Sequence, residues 1–223
     1  MKHSNHLRAG IAMPVLVASL LFACKREQIT MNPESFSAQI VENNATAINE
    51  AGKNAASHIE ASEKLQIPSQ VDLPANLPAG NSRVATYYAV GVQKYKAAIK
   101  PGSDPVAYQW VFVAPQADLY DSYNNKIGAH GAGPYWSLSP SDSIFAQHFS
   151  PARTVVSPDA ESIDWLLLMP KSGTTPSGIF ADVDYIQRIA TKGGKAPLTP
   201  PASLYETVEV KYKAVYRFSK INL

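Results

Sequence analysis

His130, Tyr135 and Trp136 bring the most chemistry into the least space. They sit in Gly128-Ala129-His130-Gly131-Ala132-Gly133-Pro134-Tyr135-Trp136. Small neighbours expose a side chain and let backbone amides approach a ligand. A histidine framed this way could bind a metal, act as a general base or hydrogen-bond a ligand. The plain alternative is a histidine that fixes the turn by bonding to backbone. Trp136, with Tyr135 and Trp165, could form a stacking floor for a sugar or a planar ligand. Core packing is the alternative there, above all for Trp165, which begins an apolar run.

Gln93, Gln187 and Arg188 are polar residues inside otherwise apolar stretches. A buried arginine needs a partner, and Asp142, Asp182 or Asp184 could supply one, so a structural salt bridge is expected before anion binding. Gln187 and Arg188 are adjacent in a strand and point to opposite faces. Asp118 and Asp121 with Asn124 and Asn125 hold oxygens that could gather around calcium. Their spacing fits no known loop, and a solvated turn is the expectation. His148 with Asp142 and Ser150 has the composition of a triad but no geometric basis for one. The chain lacks HExxH, G-x-S-x-G and P-loop patterns. The sequence therefore assigns no metal and no cofactor, and no nucleophile, base and acid set is legible.

The elements that must position these residues are short. Seventeen prolines and 12 glycines punctuate the 223 residues, with apolar runs between them. Strands are expected over Val84–Tyr95, Tyr108–Ala114, Ala117–Tyr120, Lys126–His130, Tyr135–Leu138, Ile144–Phe149, Trp165–Met169, Ile179–Thr191 and Val208–Phe218. Gly91 inside the first suggests a bulge or a close backbone approach. Asn124 and Asn125 suit a hairpin turn. Trp165–Met169 is continuously apolar, as in a strand buried on both faces. Val208–Phe218 alternates most cleanly, with Val208, Val210, Tyr212, Ala214, Tyr216 and Phe218 on one face. About eight short strands imply an all-β antiparallel sandwich or barrel.

The N-terminus reads as a targeting segment. Lys2 and Arg8 precede an apolar run, Ala9–Ala23, too short to span a bilayer, which needs about 20 residues. Leu21-Phe22-Ala23-Cys24 resembles a bacterial lipobox, and Cys24 is the single cysteine of the chain. The expected organisation is a signal peptide over 1–23, a lipid-anchored, partly helical linker over 24–66 and a β-domain over 67–223. Lipid on Cys24 would tether the chain to a membrane of the cell envelope. Removing 1–23 takes Lys2 and Arg8, which brings the 20 basic residues level with the 18 acidic ones. That balance, with no basic block, argues against nucleic-acid binding. The linker has a thin alanine-rich stripe (Ile40, Ala45, Ile48, Ala51, Ala55, Ile59), which favours a spacer over its alternatives, docking against the domain or pairing with another chain, and His58 within it reads as solvated.

Gly91-Val92-Gln93-Lys94-Tyr95, Trp110 to Leu119, His130 to Trp136, Trp165-Leu166-Leu167-Leu168, Tyr185-Ile186-Gln187-Arg188 and Thr191 to Pro197 come in that order. In this the chain, from about Leu73 to Phe218, resembles the family catalogued as domain of unknown function 3455. The resemblance implies a β-domain found mostly in secreted proteins of bacteria and fungi, and no activity. It also implies two cysteines, absent here, where Lys96 and the Thr199-Pro200-Pro201 region stand. The family's Asp-Gly-Ser turn is replaced by Pro140-Ser141-Asp142. The resulting expectation is a binding module for a small molecule or glycan, with candidate ligand-binding residues His130, Tyr135, Trp136, Arg188 and Gln93. The alternatives are a hydrolase or lyase using His130 with a carboxylate such as Asp142, and a purely structural envelope module.

Overall fold

A computed structural model describes residues 54–223. The signal segment, Cys24 and the linker up to residue 53 lie outside the described residues. A helix, α1 (Ala55–Glu63), precedes eight strands: β1 (Asn81–Ile99), β2 (Tyr108–Tyr120), β3 (Lys126–Gly131), β4 (Tyr135–Ser139), β5 (Asp142–Val155), β6 (Trp165–Pro170), β7 (Tyr185–Gly193) and β8 (Thr207–Ile221). Each strand pairs antiparallel with its neighbours in sequence, and β8 pairs back onto β1 from Asn81↔Ile221 to Lys96↔Thr207. The fold is an up-and-down closed barrel. Closure leaves no open sheet edge to protect.

Two expected boundaries move. The expected strands over 108–114 and 117–120 are one strand, β2, which runs through Pro115. The stretch 179–191 divides into a 3-10 turn, Gly178–Phe180, and β7. The Asp142 carboxylate makes this division by accepting the Ile179 N–H at 3.0 Å. Gly91 meets its expectation of a close approach. A Cβ there would overlap the backbone of Gln116 and Ala117 on β2.

Alternation sorts the barrel's residues into an interior and an outer wall. Tyr87, Leu119, Trp136, Ile144, Leu168, Ile186, Tyr216 and Phe218 belong to the interior cluster. Phe180 stoppers one end, fully buried, with its ring 4.8 Å from Phe218 and 6.4 Å from Tyr87. The outer wall is partly covered too. Ala55 and Ile59 of α1, with Val71, pack on Tyr88, Trp165, Leu167, Ile189 and Val215. Hence Trp165–Met169 reads as apolar throughout: Leu166 and Leu168 face the interior cluster, while Trp165 and Leu167 lie under the covering segment.

Part of the expected linker is therefore docked on the barrel, contrary to a spacer reading of α1. Its stripe is thin because Ala55 and Ser62 let the helix approach closely, and polar contacts supply the rest. Arg217, buried in the outer wall, donates to the Ser62 carbonyl at 2.7 Å. It also meets Glu63 at 3.2 Å, and Glu63 accepts from Arg83 at 2.9 Å. His58 is stacked on Tyr88, with ring centroids 4.6 Å apart, rather than solvated. Hydrophobic spacing alone cannot register such contacts.

Candidate functional site

Unequal strand lengths shape the site. β2 has 13 residues and β5 has 14, but β3 and β4 between them have 6 and 5. β3 pairs with β2 only from Ala117 to Tyr120. The first half of β2 and the second half of β5 thus rise above the β3–β4 turn with no strand between them. The turn, Ala132–Pro134, is the sill of a notch in the barrel wall. It is fastened to β5 by the Ala146 N–H, which donates to the Pro134 carbonyl at 2.9 Å. Behind the notch lies a cavity of about 290 Å³ whose lining includes His130, Trp136, His148, Arg188 and Tyr216. Phe112, Leu166 and Leu168 supply apolar wall. The Phe180 stopper closes the opposite end, since successive turns of an antiparallel meander alternate between ends.

The glycines frame the hairpin rather than expose the histidine. His130 is only 3% exposed. A Cβ on Gly131 would come 2.6 Å from the Tyr135 ring, so this glycine makes room across the hairpin. Gly133 turns the chain at φ +130°, where an L side chain is strained. His130 pairs with Trp136 across β3 and β4, and their rings stack with centroids 4.5 Å apart.

Both ring nitrogens of His130 are engaged. Nδ1 lies 2.7 Å from the Tyr135 carbonyl, which can only accept, so Nδ1 carries the proton. Nε2 then accepts from the Tyr216 hydroxyl at 3.1 Å. Burial pushes the His130 pKa down to about 3; the bond to Tyr135 opposes the shift and the Arg188 charge adds to it. Burial also raises the Tyr216 phenol. A general base at neutral pH needs a pKa near 7 and a free nitrogen. His130 has neither, and it functions as a neutral, fixed wall of the cavity.

Arg188 enters from β7, paired with Leu166 on β6 and Tyr216 on β8. Its Nε and Nη2 both donate to the Asp164 carbonyl, at 3.1 and 2.9 Å. The expected salt bridge is not what the geometry supplies. Asp142 accepts from Ser139 and the Ile179 N–H, and Asp184 from the Ile221 N–H at 2.7 Å. Asp182 lies in the β6–β7 connection at the stoppered end. Asp142 also fails as a catalytic partner for His130, because the β4–β5 turn belongs to that same end. Its hydrogen bonds from Ser139 and Ile179 hold its carboxyl below the ordinary range. Asp121 ties its own turn, accepting from the N–H groups of Tyr123 and Asn125 at 2.8 and 2.9 Å.

Of the five candidates read from sequence, His130, Trp136 and Arg188 meet in one cavity. Tyr135 does not join them. It is next to Trp136 in β4, so its side chain takes the opposite face and packs on Phe145 at 5.8 Å; only its carbonyl reaches His130. Gln93 is buried in the barrel beside Gly194, off the cavity wall, with its Nε2 unpartnered. Gln187, adjacent to Arg188, faces outward and donates to the Val71 carbonyl at 2.8 Å. Tyr216 and His148 were not foreseen as site residues. Tyr216 is on the alternating inner face of β8, and Ile144, Ala146 and His148 share a period of two; that spacing was the available signal.

No curated protein and no solved structure matches this chain. A family model described as protein of unknown function (DUF3455) matches residues 78–220, which include the whole cavity and every strand but for the last residue of β8, and the chain belongs to that family.

Proposed function

We propose that this chain is a lipid-anchored envelope protein whose barrel takes a small molecule, or the end of a glycan, through the notch above the β3–β4 turn. One observation carries the binding reading. The interior of an eight-stranded barrel is narrow enough for side chains to fill, or to hold one small ligand. Here it keeps a cavity of about 290 Å³ into which Arg188 brings a guanidinium that forms no ion pair with any carboxylate among the described residues. A half-buried charge without a counter-charge beside a cavity invites an acceptor. Catalysis through His130 is disfavoured by its engaged nitrogens and depressed pKa.

The test is a thermal-shift screen of the full chain against metals, sugars, cell-wall fragments and small organic acids, amides and amines. A ligand at 100 times its dissociation constant adds about 2.7 kcal/mol of stability, several degrees for a domain of this size. Upward shifts confined to compounds small enough for the cavity are expected. No shift from any compound supports the structural alternative instead.

The anchor rests on the position of Cys24 directly after an apolar run and a small residue. Cys24→Ser is expected to move the protein from the membrane fraction to the soluble fraction of cells. Unchanged membrane association would remove the lipid from the account.

A further inference from the structure

The one permanent charge on the wall of this cavity is a cation. Arg188 spends Nε and Nη2 on the Asp164 carbonyl, which fixes the guanidinium. Among the described residues no carboxylate forms an ion pair with it. No Asp or Glu lines the cavity. His130 Nε2 already accepts from Tyr216. His148 lines the same space. Lys195 and Asp164 both border an outer recess shared with Arg188 and His148.

A lining of this kind rejects cations and metal ions and favours a head group that only accepts. A phosphate dianion asks for several cations close by, whereas one guanidinium matches the single charge of a carboxylate. Leu166, Leu168 and Phe112 offer an apolar surface to the remainder of the molecule. A volume of about 290 Å³ is the share of roughly ten waters, which sets the scale at about ten non-hydrogen atoms.

We propose that the barrel binds a small organic monocarboxylate, its carboxylate on Arg188, its aromatic or branched body against Leu166, Leu168 and Phe112. The proposal rests on the reading of the cavity as a binding site and names its ligand class.

Isothermal titration of the full chain with benzoate, phenylacetate and isovalerate, each against its neutral amide, tests it. The acids should bind at least tenfold tighter than the amides. Arg188→Gln should erase that preference. If Arg188→Gln does not fold, Arg188→Lys, which keeps the charge, should retain a preference for acids. Amides that bind as well as acids, or a preference that survives Arg188→Gln, would overturn the carboxylate assignment and leave the cavity standing. So would failure of all three acids while neutral compounds bind and Leu166→Phe blocks them. Failure of acids, amides and every compound of the screen overturns both readings.

Discussion

Trp136→Ala is expected to lower the unfolding free energy by about 3–5 kcal/mol, the usual cost of removing a large buried aromatic. The indole is fully buried and holds the interior together at one level of the barrel. It stacks on His130 at 4.5 Å and meets Tyr216 and Phe218 edge-on at 5.1 and 5.6 Å. Its removal would merge the vacated space with the existing cavity, and a closed barrel cannot collapse around such a void. Urea denaturation provides the measurement: the midpoint should fall while the dependence on urea stays unchanged. Trp136→Phe keeps most of the packing and leaves no orphan N–H, so it should cost a fraction of that. A loss below 1 kcal/mol for the alanine variant would mean that the ring does not pack as described.

Stability should also fall as the medium is acidified from about pH 6.5 towards pH 3, through His130. The unfolded chain takes up a proton on this residue near pH 6.5, whereas burial in the barrel delays uptake to about pH 3. Between these values the unfolded form binds more protons, so stability declines with falling pH at up to ~1.4 kcal/mol per pH unit. Below about pH 3 both forms are protonated and the contribution levels off. The window from about pH 4.5 to 6 isolates the effect, because Asp121, Asp142 and Asp159, whose pKa values are lowered, act below the ordinary carboxylate range. His58 is held down by burial and by Lys213 and adds a slope of the same sign. His130→Gln should therefore flatten most of the dependence in that window, and His58→Gln a smaller part. An unchanged slope in His130→Gln would show that the ring is already protonated in the folded barrel.

The strands were legible because half-buried barrel walls write a period of two into the chain, as β8 does from Val208 to Phe218. The choice of barrel over sandwich was not. It depends on β1 meeting β8 across more than a hundred residues, and no local pattern encodes that pairing. His130, Trp136 and Arg188 could be singled out as chemistry in apolar surroundings, and the barrel brings them together. Of the two readings of His130, the plain one, a ring bonded to backbone, fits its contact with the Tyr135 carbonyl; exposure by its glycines does not, since Gly131 accommodates the Tyr135 ring and the histidine is buried. Tyr135 was misplaced although strand alternation was available to separate it from Trp136. Docking of α1 could not be favoured from its thin stripe, because Arg217, which holds the Ser62 carbonyl and Glu63, lies far from both in sequence.

The central claim is that the space behind the notch admits a ligand, and Trp136 is its natural reporter. With Trp110→Phe and Trp165→Phe, Trp136 becomes the sole tryptophan of the chain. Titration of this variant with the compounds of the thermal screen should change Trp136 emission in a saturable way for at least one of them. Leu166→Phe, which fills the cavity from its wall, should abolish the change while the barrel stays folded. Emission that no compound alters, or a change that persists in Leu166→Phe, would contradict the cavity as a binding site.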